Sequence, residues 1–231
     1  MTGWSAGDEV IGWTDERAAQ AEYVAVPPDH LARRPPSVPW EQAGGLPIAG
    51  CTAYAAVRAI GAEAGQTVLL AGAAGGVGSI AAQLLRNAGV RVLGVAGEHN
   101  VDWLTSLGVD PVLYGDGLID RLRDVAPAGV DAAIDAHGGG YVELAISLGV
   151  EPDLVDTIID FAAAEQYGTK TDGSEAGLSS AALGELAEAI ASGELTVPVA
   201  ARFPLGKVRD AYRELARGHT RGKIILDVAA A

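Results

Sequence analysis

Apolar and polar residues alternate along this chain in two periods. From residue 66 onward, short runs rich in Val, Leu, Ile and Ala trade places with longer stretches of helical spacing. The short runs predict strands at 67–71, 91–95, 111–114, 130–135, 155–160 and 222–228, and the longer ones helices at 76–88, 99–107, 116–125, 140–148, 179–192 and 205–217. Regular βα alternation predicts an α/β fold with a doubly wound parallel sheet, here six strands in the order 3-2-1-4-5-6. Before residue 66 the pattern differs. Residues 7–13 and 21–26 read as strands, too few for a stable sheet of their own, and Pro27-Pro28 and Pro35-Pro36 punctuate a loop. A short helix capped by Ser37 and a longer one from Pro47 to about Ile60 follow. Residues 161–204 are less regular, with a polar loop at 167–173.

The chain is organised around residues 66–89. The run Thr67-Val68-Leu69-Leu70-Ala71 has the length and branching of a buried strand, stops at a glycine-rich bend, and restarts as an alanine-rich helix. Strand, glycine turn and helix in that order are the context of a dinucleotide fingerprint, read as Ala73-x-Gly75-x-x-Gly78 with alanine at the first position. Ala73 is assigned the tight turn, Gly75 the close approach of a pyrophosphate, and Gly78 the packing of helix on sheet. The helix N-terminus offers free N–H groups to phosphate. The competing reading is a glycine-rich turn that binds nothing.

Composition narrows the classes. A net charge of −14 over 231 residues argues against nucleic acid or an anionic membrane as partner. The charge-free stretch from Ala64 to Leu85 is interrupted by glycines and by Gln66 and Gln83, which suits a strand–turn–helix better than a membrane span. The single Cys51 excludes an intrachain disulfide and any multi-cysteine zinc site, and fits a reducing cytoplasm. No G-x-S-x-G elbow follows a strand, and no Walker lysine follows the glycine turn.

The second strand bears on cofactor choice. It ends in Ala96-Gly97 with no acid at its tip, so the carboxylate that binds a ribose 2′-OH is missing and NADPH is favoured; Glu98 follows closely and counts against this. His99 and Asn100 are candidate donors to a 2′-phosphate, against a role in capping the next helix. Asp135-Ala136-His137-Gly138-Gly139 closes the fourth strand at the ligand-binding edge, where His137 is a candidate proton donor or a solvated turn residue. Ile159 ends the fifth strand, as nicotinamide contact or as core.

Several motifs then point the same way. Ala73-Ala74-Gly75-Gly76-Val77-Gly78, Gly7-Asp8-Glu9-Val10, Leu46-Pro47-Ile48-Ala49-Gly50-Cys51-Thr52-Ala53-Tyr54 and His219-Thr220-Arg221-Gly222-Lys223-Ile224-Ile225-Leu226 resemble, in order and spacing, the zinc-independent quinone oxidoreductase and enoyl reductase branch of the medium-chain dehydrogenase/reductases. The resemblance implies a nicotinamide cofactor held by Thr52, Ala73, Ala74, Gly75, Gly76, Val77, Gly78, Ala96, His99, Asn100, Tyr114, Ala136 and Ile159, with Arg221 or Lys223 able to approach it. For Thr52 and Tyr114 a helix-start hydroxyl and strand packing are the alternatives. No zinc is implied, because Ile48 occupies the position four before Thr52 where zinc-dependent relatives carry a ligand. Catalytic residues are not assigned.

The resemblance further implies an N-terminal GroES-like barrel of which only a remnant is present: residues 1–46 as the remnant, 47–204 as the NADP-binding domain, and 205–231 as a helix and last strand completing the sheet. Met1 is a misplaced start, an engineered truncation, or the start of a shortened protein. The implied activity is NADPH-dependent reduction of a small quinone or α,β-unsaturated carbonyl by a cytoplasmic protein, with a homodimer expected. The rivals are a non-catalytic NADPH-binding protein or redox sensor, and a fragment without a complete substrate pocket.

Overall fold

The computed structural model describes residues 3–15 and 18–228. β1 (Val10–Gly12) and β2 (Leu31–Arg33) form an antiparallel pair. Two helices follow, α1 (Trp40–Gly45) and α2 (Pro47–Ile60). The alternating part then runs β3 (Thr67–Ala71), α3 (Gly78–Asn87), β4 (Arg91–Ala96), α4 (Val101–Ser106), β5 (Asp110–Leu113), α5 (Leu118–Val125), β6 (Ala132–Asp135), α6 (Tyr141–Ser147) and β7 (Val155–Thr157). The chain closes with α7 (Phe161–Tyr167), α8 (Ser174–Gly177), α9 (Ser180–Ala191), β8 (Val199–Pro204), α10 (Val208–Ala216) and β9 (Lys223–Asp227).

Five strands make one parallel sheet in the order β5-β4-β3-β6-β7. This is the doubly wound order 3-2-1-4-5, with the glycine turn leaving its central strand. Both faces are covered. Val68 and Leu70 point into a core shared with α2, α3 and α9, whereas Leu69 points into a second core with Leu93, Val112, Leu122, Val142 and Val155. That alternation explains why the strand reads as a continuous apolar run. Burying each such leucine contributes about 2 kcal/mol.

The sequence reading needs four corrections. The last strand does not complete the sheet: β9 pairs in parallel with β8, Val199–Pro204, a strand absent from the reading because its side chains alternate between half-buried and exposed. The sixth place beside β7 holds one bridging residue, Lys170, opposite Asp156, inside the segment read as a polar loop. The partner of β1 is Leu31–Arg33, since residues 21–26 form no strand. Their pairing buries Ile11, Trp13 and Ala32 in the same core as α2 and α9. Finally, α1 starts at Trp40 behind Pro39, without a Ser37 cap, because Pro39 is fixed near the φ of its extended backbone.

Candidate functional site

The glycine turn meets the sheet at its carboxyl edge, where open α/β sheets take ligands. The residue that reverses the chain is Gly72, at φ +71°, one place earlier than the reading that gave this task to Ala73. Ala73 is instead fully buried, in space left free by Gly94 of β4, where a Cβ would fall 3.0 Å from the Ala73 Cβ. That vacancy accommodates alanine at the first fingerprint position. Gly78 is the tightest point: a Cβ there would fall 2.1 Å from the Gly72 carbonyl oxygen, so only glycine lets α3 begin so close to β3. The amides of Gly76, Val77 and Gly78 have no backbone partner among the described residues and stand at the positive end of α3. Such a cradle of small residues and free N–H groups fits a pyrophosphate.

The C-terminal segment locks onto this turn. Gly222 N donates to the Ala74 carbonyl at 2.9 Å, and Gly222 (φ +73°) lies so close to Pro198 that a Cβ would fall 2.1 Å from its oxygen. The Lys223 stem covers Gly76, with Cδ 2.8 Å from where a Cβ there would stand. Burial pulls the Lys223 ammonium below its ordinary pKa.

A cleft of about 410 Å³ runs from this turn across the tips of β4 and β5. Ala74, Gly75, Ala96, His99, Asn100, Tyr114 and Ala136 all line it. Glu98 is exposed and is not among the lining residues. Asn100 stands at the N-cap of α4 but makes no capping bond there. Its Oδ1 accepts from Arg221 Nε at 2.9 Å, while Nδ2 meets His99 Nε2 at 3.0 Å. Arg221 Nη2 also donates to the His99 carbonyl at 2.9 Å, and its guanidinium lies 5.2 Å from the centre of the Trp103 ring. His219 meets His99 edge to face at 5.8 Å. One end of the cleft therefore carries the polar side chains of His99, Asn100, His219 and Thr220 with the Arg221 guanidinium bonded behind them, an arrangement suited to phosphate.

At the floor, buried Asp135 accepts hydrogen bonds from His137 N (2.9 Å), Gly138 N (2.8 Å) and Thr157 Oγ1 (2.9 Å), which fixes the turn that presents Ala136. His137 is exposed on the cleft rim and meets Tyr141 edge to face at 5.7 Å. Burial, then Asp135 and Tyr114, push the Tyr141 phenol above its ordinary pKa.

The remaining sequence-assigned residues lie elsewhere. Thr52 and Val77 line a second hollow of about 660 Å³ with Ile48, Ile158, Phe161, Thr171, Gly173, Glu175 and Ala176. The Thr52 hydroxyl donates to the Ile48 carbonyl at 2.6 Å, within its own helix. Ile159, 53% exposed, lines neither space and packs beside Gly138. Sequence reasoning missed Tyr141, His219 and Thr220, all of which line the cleft. Arg221 and Lys223 were singled out in the sequence, but the return of their segment from a separate strand pair to this edge was not visible.

Cys51 is buried in α2, and burial pushes its thiol up to about 11. Among the described residues no group of three or more His, Cys, Asp or Glu stands where it could hold a metal ion. No described helix is long and apolar enough to cross a membrane.

Comparison with known proteins agrees with this geometry. The family described as zinc-binding dehydrogenase matches residues 107–226. Human mitochondrial NAD(P)H oxidoreductase RTN4IP1 is 26% identical over 260 residues, covering 96% of this chain and 65% of the human protein. Bovine prostaglandin reductase 1 is 35% identical over 142 residues, covering 59% of this chain and 42% of the bovine one. The quinone oxidoreductase of Coxiella burnetii superposes with a TM-score of 0.83 at 27% identity, covering 98% of this chain and 74% of that one. The chain belongs to the zinc-binding dehydrogenase family of the medium-chain dehydrogenase/reductases, in the zinc-independent branch of quinone oxidoreductases and enoyl reductases.

Proposed function

We propose that this protein is an NADPH-dependent oxidoreductase that passes hydride to the electron-poor carbon of a neutral quinone or α,β-unsaturated carbonyl. The observation that carries the reading is one cleft that runs from Ala74 and Gly75 of the glycine turn to the acid-free tip of β4, with His99 and Asn100 in its wall and Arg221 bonded to both. Bound there, the nicotinamide supplies the hydride. The chain's own residues bind and orient. The Gly76, Val77 and Gly78 amides would hold the pyrophosphate. His99 and Arg221 would hold the 2′-phosphate, while Tyr114 and Ala136 flank the intervening length. The names of the human and bovine relatives, an NAD(P)H oxidoreductase and a reductase, support the reaction class.

The hollow beside Thr52 and Val77 would take the acceptor. Its walls are mainly apolar and its ionisable side chain is Glu175, which favours an uncharged acceptor. Phe161 is 61% exposed there, so water reaches the hollow and can return the proton. A homodimer joined along a sheet edge belongs to the same reading, since β5 has a neighbour on one side only. The exposed acceptor end also favours a second reading, a nucleotide-binding sensor without turnover. The test is oxidation of NADPH by the purified chain with 1,4-benzoquinone. Turnover saturable in both reactants is expected. Saturable NADPH binding without turnover would favour the sensor, and no binding would overturn both.

A further inference from the structure

One wall of the acceptor-side hollow is formed by Thr171, Gly173, Glu175 and Ala176, within the segment 168–177. Its attachment to the sheet is narrow. Thr157 N donates to Lys170 O at 3.0 Å and Lys170 N to Val155 O at 2.9 Å, the single bridge beside β7. The Asp156 carboxyl adds one more tie, with Oδ1 accepting from Asp172 N at 2.6 Å. Behind the segment, Lys170 Nζ donates to the Ala59 carbonyl of α2 at 2.6 Å. Gly177 lies so close to α2 that a Cβ would fall 2.0 Å from the Cys51 oxygen.

Asp156 is 0% exposed, yet its Oδ2 has no hydrogen-bond partner among the described residues. Thr169 Oγ1, in the same segment, is also buried without one. The charged groups bearing on Asp156 are Asp172 and Lys170 from the segment and Asp135 from β6, two acids against one base. None of α2, α6 and α7, also packed on β7, adds a charge that shifts it. A buried carboxyl in these surroundings is tolerable as a neutral acid and costly as an anion.

We propose that Asp156 is a proton-operated latch: as a neutral acid it holds the 168–177 wall on the sheet edge, and its ionisation releases that wall and opens the acceptor side. The step is a proton exchange with solvent at the Asp156 carboxyl. Burial, the largest cause, pushes this carboxyl up to about 7; the Asp172 amide and Lys170 pull against it, and the Asp172 and Asp135 carboxylates push with it. Once the wall lifts and water reaches the carboxyl, its pKa falls toward the ordinary value of 3.8. Docking therefore takes up a proton. It weakens as pH rises between these values, by up to about tenfold per unit, and levels off above the higher one.

Hydrogen exchange on the full chain from about pH 5 to about pH 8, corrected for intrinsic exchange, reads this directly. Protection of the 168–177 amides is expected to fall by about tenfold or more as pH rises and to stay below that of β3 at every pH, since the wall opens locally whereas β3 exchanges through global unfolding. Asp156→Asn keeps an acceptor for Asp172 N and carries no charge, so its profile should be flat. Asp172→Asn keeps the backbone donor, removes a like charge, and should move the fall to lower pH. Protection independent of pH in the wild type, or the same fall surviving in Asp156→Asn, would overturn the latch. If Asp156→Asn does not fold, a midpoint unmoved by Asp172→Asn overturns it instead.

Discussion

The two spaces proposed for nucleotide and acceptor are built on different principles. At the nucleotide end the backbone is pinned from three directions: Gly78 against Gly72, Gly222 onto Ala74, and Asp135 under the turn that follows β6. Donors and cations converge on it in a chain whose net charge is −14. At the acceptor end the surfaces are mainly apolar, Ile48 and Phe161 are exposed, and one wall joins the sheet through a single bridge and the Asp156–Asp172 tie. An anion is held by dipoles and charges fixed before it arrives, which demands rigid backbone. An apolar acceptor needs area and access, which tolerate movement. Rigidity is concentrated where the ligand is charged.

The largest effect should come from Gly78→Ala. Its methyl would overlap the Gly72 carbonyl, so the turn must open, and NADPH affinity should fall about a hundredfold, with a cost near 3 kcal/mol in chemical denaturation. An unchanged dissociation constant would remove the rigid turn from the comparison. Next is Arg221→Ala. Loss of a charge-assisted contact should weaken NADPH by about tenfold to a hundredfold and NADH by about threefold or less, read by fluorescence titration of both. Equal losses would reduce Arg221 to a packing role.

The acceptor end is tested by pH. The Asp156 carboxyl is raised in the folded chain, so its contribution is fully present below its unfolded value and is lost as pH rises through about 7. Hence the melting temperature of Asp156→Asn, taken relative to wild type, should climb between about pH 5 and about pH 7 and then level. A constant difference would contradict this account. Thr52→Val should do least. Because that hydroxyl is spent on the Ile48 carbonyl, the change should cost about 1 kcal/mol or less and move NADPH affinity by about twofold. A larger loss would show that Thr52 turns toward the cofactor.

Much of this was legible in the sequence, for physical reasons that can be traced. The central strand and its glycine turn are local: branched apolar residues buried on both faces, then residues without room for a side chain. The acid-free tip of β4 was equally local. What stayed hidden depends on contacts distant in sequence. Nothing near Lys223 tells β9 to pair with Val199–Pro204 instead of the main sheet. Asn100 was readable as a phosphate donor or as a helix cap, and its bond to Arg221, far along the chain, was not visible. Asp156 was not singled out in the sequence, because its raised pKa comes first from burial beneath a wall whose Asp172 lies sixteen residues on. Ala73 was given the turn because the fingerprint is counted from it, whereas positive φ belongs to Gly72.

The most direct measurement is a side-by-side titration of the purified chain with NADPH and NADH, followed by thermal stability. Saturable stabilisation by both is expected, with NADPH bound at least about tenfold more tightly, if His99 and Arg221 hold the 2′-phosphate as proposed. Stabilisation by neither nucleotide, or a preference for NADH, would contradict the claim that this cleft is built for a 2′-phosphorylated dinucleotide.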